Sequence, residues 1–171
     1  MTPTTEPGGV YLPMKRPEFD RLCFDTFAIL GHRFDSPAAR CQLWAMGRQE
    51  GRMVYRRQIG GPARGLWQFE RGGGVRGVLL HPASKAHALR LCEARKVAPT
   101  AQDVYARLEH DDVLACGFAR LLLWTDPGRL PPPTLAHEQE GWALYLRTWR
   151  PGKPHPHTWP DFWAEACEVA A

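Results

Sequence analysis

Apolar residues recur three and four positions apart along most of the chain, the spacing that places them on one face of an α-helix. Pro17 opens the first such segment, in which Phe19, Leu22, Phe27 and Leu30 form the inward face and Gly31 supplies the stop. Ser36-Pro37 is a stronger start signal, a capping hydroxyl followed by proline at the first helical position. The helix it opens is expected to reach Glu50, with Gly51 at its C-terminal cap. From residue 60 to residue 77 glycines dominate around the apolar stretch Gly65-Leu66-Trp67-Gln68-Phe69. This part reads as loop and short extended structure, with room for a small hairpin.

His81-Pro82 is expected to open a further helix to about Lys96, and Thr100 to cap a shorter one through Leu108. Asp111 and Asp112 begin a helix through Trp124 that is apolar on nearly every side, as a helix at the centre of a domain is. A stiff, proline-rich loop follows over residues 126–133. Beyond it Trp142, Tyr145, Leu146 and Trp149 make one helical stripe, which residues 151–157 break. Thr158-Trp159-Pro160-Asp161 approximates a capping box for a last helix with Trp159, Phe162, Trp163 and Ala166 turned inward. There is no internal repeat and no linker long enough to separate two domains. The pattern predicts a mainly α chain of α+β type: a flexible arm over residues 1–16, then one domain over residues 17–171. Its centre is the buried helix 113–124, with a small β or loop region near the middle of the chain.

Composition narrows the class. With 44% hydrophobic and 23% charged residues the chain is globular, not disordered. The 16 glycines and 16 prolines follow no period, which excludes collagen-like and low-complexity classes. A net charge of +4 favours anionic partners, yet no run of five like charges occurs, so nucleic acid is not favoured. Cys23, Cys41, Cys92, Cys116 and Cys167 are odd in number, form no Cys-X-X-Cys pair and lie among apolar neighbours. They are expected as buried thiols in a reducing compartment, not as a zinc site. No stretch approaches the ~18 apolar residues of a membrane span, and Arg120 interrupts the most apolar run. The first thirteen residues lack the basic-then-apolar order of a secretory signal, so the chain is expected to be made in the cytoplasm and to stay soluble.

One residue carries candidate chemistry. Ala39, Leu43, Met46 and Glu50 lie on one helix face. A carboxylate that continues an apolar stripe loses solvation, and a place in the last helical turn also disfavours negative charge. Both raise its pKa toward neutrality, where a protonated carboxyl serves as a general acid. The same pattern also fits a helix that frays at Gly51 and lets Glu50 point into water.

Glu50 is followed fifteen residues later by Gly65-Leu66-Trp67-Gln68. This pairing resembles the lysozyme-like superfamily, in particular its goose-type lysozyme and lytic transglycosylase branch. In that branch a catalytic Glu ends a helix, and a Gly-Leu-Met-Gln-like segment follows at about this distance. Here Trp67 stands in place of the usual Met, and Gly51 in place of the Ser that commonly follows the acid. The order and length of the flanking helices agree, and the whole chain looks like small lysozyme-like proteins encoded by tailed phages and prophages.

The resemblance implies a lysozyme-like fold and cleavage of the β-1,4 bond between N-acetylmuramic acid and N-acetylglucosamine in peptidoglycan, with Glu50 as general acid and base. The active-site cleft would lie beside the β or loop region. A lytic transglycosylase needs no second carboxylate; a hydrolase would use one, for which Glu70 is best placed, Asp111 and Asp112 being helix N-terminal residues. By the family pattern Gly65 and Gln68 belong to the segment that lines the cleft, although the Gln68 amide fits a loop brace equally well. Trp67 is read as a sugar platform or as core beneath the loop, and Tyr145 as the substrate-binding aromatic that the family often places near the acid or as core in its stripe. Arg64, with Arg56 and Arg57, suits substrate carboxylates or a solvated loop.

The partners implied are peptidoglycan glycan strands and other phage virion proteins, with no cofactor and no metal, since His155 and His157 lack a third ligand in reach. Action at the cell wall without a signal would follow holin-dependent release or carriage in the virion. The competing reading is a non-catalytic virion component, a tail protein that keeps the lysozyme-like scaffold. Gly51, the N-terminal arm and the stiff basic loop over residues 150–157 motivate it. A basic helical nucleic-acid binder has only net charge and interleaved Trp and Arg in its favour.

Overall fold

The structure, a computed structural model, describes residues 13–171. Eight helices carry the described chain: α1 (Arg16–Leu30), α2 (Pro37–Gly51), α3 (Arg76–Leu80), α4 (Lys85–Ala94), α5 (Ala101–Leu108), α6 (Asp112–Trp124), α7 (Glu138–Trp149) and α8 (Trp159–Ala170). The protein is mainly α-helical, as its hydrophobic periodicity predicts. Three of the eight starts are set by a side-chain cap. Ser36 Oγ accepts from the Ala39 N–H at 3.0 Å, Thr100 Oγ1 from Asp103 at 3.1 Å, and Asp111 Oδ1 from Leu114 at 2.9 Å.

α6 is the centre of the molecule. Residues 114–121 and Leu123 are buried, and α1, α2, α3, α4 and α5 all pack against it. α2 and α8 form the most extensive helix pair, and Trp67, Trp159 and Trp163 are fully enclosed. Cys23, Cys41, Cys92 and Cys116 are buried and Cys167 is half-buried, all as free thiols. No helix among the described residues is long and apolar enough to cross a membrane.

Five expectations are corrected. The β region is absent as such: among the described residues only two isolated bridges occur, Arg57 with Arg64 and Arg64 with Phe69. Residues 71–80 are instead mostly helical, a wide turn over Arg71–Val75 kinked at Gly73 (φ −97°, ψ −106°) and running into α3. Val75, Val78 and Leu79 are buried at helical spacing, and that burial outweighs the poor helix propensity of the glycines. The helix expected from His81-Pro82 begins only at Lys85, because Ser84 is buried with its hydroxyl donating to the Val78 carbonyl at 2.7 Å. Gly51 is the last helical residue and not the cap; Arg52 takes the left-handed position, with φ 57°.

The capping box at Thr158 does not form, since its hydroxyl is spent on Gln49 Oε1 at 3.0 Å and the His155 carbonyl at 2.9 Å. Phe162 is only half-buried, lying beneath the guanidinium groups of Arg48 and Arg52. As for the N-terminal arm, residues 1–12 lie outside the described residues. Its end is fixed: the Met14 N–H donates to the Met53 carbonyl at 2.9 Å, and Arg16 already belongs to α1.

Candidate active site

The last turn of α2 delivers Gln49 and Glu50 to a cleft of about 1230 Å³. Its walls come from the loop and wide turn around residues 68–74, the C-terminal end of α6, the end of α7 and the loop over residues 150–155. Glu50, Glu70, Gln68 and Tyr145, remote in sequence, all line it.

Glu50 is half-buried, and Oε1 accepts a hydrogen bond from the Tyr145 hydroxyl at 2.6 Å. Burial pushes the Glu50 carboxyl up to about 7; the negative charge of Glu70 adds to the rise, and the Tyr145 hydrogen bond opposes it. The Tyr145 phenol is itself driven well above its ordinary range by burial and by Glu50, so it remains a donor. Its ring is stacked on Trp159, centroids 5.5 Å apart, and packs against Trp142 at 5.3 Å. Tyr145 is therefore a core residue that also holds the carboxyl of Glu50.

The loop after α2 accounts for the glycine at position 51. A Cβ on Gly51 would come within 2.6 Å of the Leu66 carbonyl oxygen, so the helix end can dock against the loop only with glycine here. Gly65 has φ 78°, which favours glycine, and its N–H donates to the Arg56 carbonyl at 2.8 Å. Gln68, also left-handed at φ 51°, donates its side-chain amide to the Gly65 carbonyl at 2.9 Å and the Tyr55 carbonyl at 3.3 Å. The bracing role of Gln68 is thus realised on the wall of the cleft.

Three expected substrate contacts are not made available. Trp67 is fully buried and its Nε1–H donates to the Leu43 carbonyl at 2.8 Å, so it is core and offers no face to a sugar. Gly65 is buried within the loop and does not line the cleft. Arg64 is turned away: Nη1 donates to the carbonyls of Gly61, Pro62 and Ala63, Nε lies 3.5 Å from Glu109, and its guanidinium stacks over Tyr105. Arg56 forks onto Asp112 at 2.7 and 2.6 Å, and Arg57 lies 3.9 Å from Glu109. The arginines are drawn to the acidic N-terminal end of α6 and the turn before it, which leaves none of them for the cleft. Asp111 caps α6 and pairs with Arg95 at 2.9 Å, as a helix N-terminal residue should.

Other residues line the cleft without a sequence signal. Gln49, 6% exposed, donates to the His155 carbonyl at 3.0 Å and accepts from Thr158, tying the proline-rich loop to α2. Asp126 and Arg147 form a fork at 2.6 and 3.1 Å, which holds the Asp126 carboxyl below its ordinary range. Among the described residues no three metal-ligating side chains gather.

Comparison of the chain with protein-family models, with curated proteins and with solved structures finds no match. What the cleft can do chemically follows from its own residues. A carboxyl that changes protonation near neutrality, with one oxygen held by a phenol, is equipped both to give and to take a proton. A second carboxylate shares its cleft.

Proposed function

We propose that the chain is a peptidoglycan-cleaving enzyme of lysozyme-like type, acting on the β-1,4 bond between N-acetylmuramic acid and N-acetylglucosamine. The observation that carries this reading is Glu50: a carboxyl pushed up to about 7, at a helix end, open to a large cleft it shares with Glu70. Tyr145 holds Oε1 and leaves Oε2 to deliver the proton. That proton passes to the glycosidic oxygen as the bond to the muramyl anomeric carbon breaks and an oxocarbenium-like centre develops. Glu50, now ionised, takes a proton back from the attacking oxygen. If the attacker is the sugar 6-hydroxyl, a 1,6-anhydro ring closes. If it is water, a reducing end forms, and Glu70 is the carboxylate available to stabilise the cation. Gly51 is accounted for by its contact with Leu66, so the missing serine is no sign of a decayed site. Action at the wall by virion carriage or holin-dependent release belongs to the same proposal.

Digestion of purified peptidoglycan by wild type and Glu50→Gln, with products resolved by mass spectrometry, tests it. Anhydro-muramyl ends that vanish in the variant identify a lytic transglycosylase, and reducing ends a hydrolase. Near-normal cleavage by Glu50→Gln would remove Glu50 from the mechanism. A folded wild type releasing nothing from several wall types would favour the non-catalytic virion component instead.

A further inference from the structure

A second cluster lies away from the cleft, where the 3₁₀ turn His32–Phe34 meets α4 and the end of α6. His87 is contacted at both ring nitrogens by arginine: Arg33 Nη2 lies 2.9 Å from Nε2, and Arg90 Nη2 lies 2.6 Å from Nδ1. A neutral imidazole has one N–H and one lone pair, and a guanidinium only donates. One of the two contacts therefore sets donor against donor, and protonating the ring would make both of them so. Burial and the two arginines accordingly hold His87 below its ordinary range.

Beneath this trio lies Arg120, 4% exposed, donating to the Phe34 carbonyl at 2.8 Å. The guanidinium groups of Arg33 and Arg120 both lie over the rings of Phe34 and Trp124, between 5.2 and 5.6 Å from the centroids. Among the described residues no carboxylate forms an ion pair with Arg33, Arg90 or Arg120. The neighbouring acid, Asp35, is taken by Arg40 at 2.8 and 2.9 Å. Two guanidinium groups, those of Arg33 and Arg120, thus lie over one aromatic pair, with the His87 ring against Phe34 and Arg90 on the far side of that ring, and none of the three arginines is ion-paired. A buried arginine without an acid partner and a donor-on-donor contact are both costly unless an acceptor completes them.

We propose that Arg33, His87 and Arg90, backed by Arg120, form a binding site for a phosphate group, either inorganic phosphate or a phosphomonoester. An oxyanion seated among the three side chains would accept from both guanidinium groups and from the imidazole N–H, turning a repulsive contact into three charge-assisted hydrogen bonds. A dianion with three or more acceptor oxygens suits this set of donors better than a carboxylate with two. None of the four residues lines the Glu50 cleft, so the proposal is independent of the glycosidase reading.

The test is NMR observation of the His87 ring in the full chain during titration with inorganic phosphate, and separately with glucose 6-phosphate, chloride holding ionic strength constant. A saturable shift of His87 is expected, with its protonation midpoint rising as phosphate binds. Tighter binding of the sugar phosphate would name a phosphomonoester, and equal or weaker binding free phosphate. The Arg33→Gln/Arg90→Gln variant, altered only at exposed side chains, should bind at least roughly a hundredfold more weakly, about tenfold for each charge-assisted bond removed. Absence of a saturable His87 response to either probe overturns the proposal. So does a response that survives unchanged in the double variant.

Discussion

Replacing Glu50 by Gln should stabilise the fold in alkaline solution and leave it unchanged in acid. The carboxyl ionises near 4.5 when unfolded and at about 7 in the native cleft. Between those values the native chain holds a proton that the unfolded chain has released. Stability therefore falls as pH rises through the window, and the deficit is complete above the native value. At about 1.4 kcal/mol per pKa unit the interval corresponds to roughly 3.4 kcal/mol. Glu50 opens on a solvent-filled cleft, which screens part of this, so about 2–3 kcal/mol is expected. Glutamine has the same shape, carries no charge, and its carbonyl oxygen can still accept from the Tyr145 hydroxyl.

The measurement is urea unfolding of both proteins at about pH 4 and about pH 8.5, followed by tryptophan fluorescence. Equal midpoints are expected in acid and a higher midpoint for the variant in base, with the same denaturant slope. A gain of equal size at both pH values would assign the effect to packing. No gain at about pH 8.5 would mean that Glu50 ionises as a solvated carboxylate, the frayed-helix alternative, and the general-acid reading would lose its physical basis.

Three further changes probe the surroundings of the acid. Tyr145→Phe keeps the aromatic stack and removes a hydrogen bond that lowers the Glu50 value; a charge-assisted bond of about 1.5–3 kcal/mol should move the alkaline limb of the pH–rate profile up by roughly one to two pH units. A limb that stays or moves down would show that the phenol does not act on the carboxyl. Gly51→Ser puts a Cβ against the Leu66 carbonyl and should cost about 1–3 kcal/mol in urea unfolding, whereas a neutral result would mean the helix end is not docked on the loop. Trp67→Phe removes a buried hydrogen bond and core volume, so it should destabilise by about 1–3 kcal/mol while binding of glycan fragments by the folded fraction is unchanged; weakened binding at full stability would restore Trp67 as a sugar platform.

What could be read from the chain was what local chemistry decides. Ser36, Thr100 and Asp111 cap the helices they announce, because a short polar side chain before an apolar run has an N–H to satisfy within three residues. The apolar girdle of α6 marked it as central for the same reason. The helical character of residues 71–80 was hidden by glycine, though Val75, Val78 and Leu79 already stood at helical spacing. At the site, the stripes placed Glu50 on the buried face of its helix and Tyr145 in the core, but nothing in either stripe announced that the two would meet. The fate of Arg56, Arg57 and Arg64 was not legible either, since it depends on Asp112 and Glu109 arriving from 45 or more residues away. The Asp126–Arg147 fork and the tie from Gln49 to His155 are likewise products of packing, with no local pattern to announce them.

The interval between Glu50 and the Gly-Leu-Trp-Gln segment acquires a physical meaning in the fold. The segment returns to α2 twice. The Leu66 carbonyl abuts Gly51, and the Trp67 indole donates to the Leu43 carbonyl two turns earlier on the same helix. The Trp67 carbonyl in turn accepts from Trp149 Nε1 at 3.0 Å, four residues beyond Tyr145 on α7. One short segment thus locks the helix that bears the acid to the helix that bears its hydrogen-bond partner. The bulky Trp67 ring is accommodated by turning inward, where its N–H finds a helix carbonyl. What the spacing specifies is therefore the position of Glu50 relative to Tyr145, and a change in loop length should disturb the carboxyl's ionisation before it disturbs the fold. Insertion of one residue at the exposed Gly60 should therefore move the Glu50 value away from about 7 while leaving the urea midpoint in acid unchanged; an unchanged value would show that loop length does not set the position of Glu50.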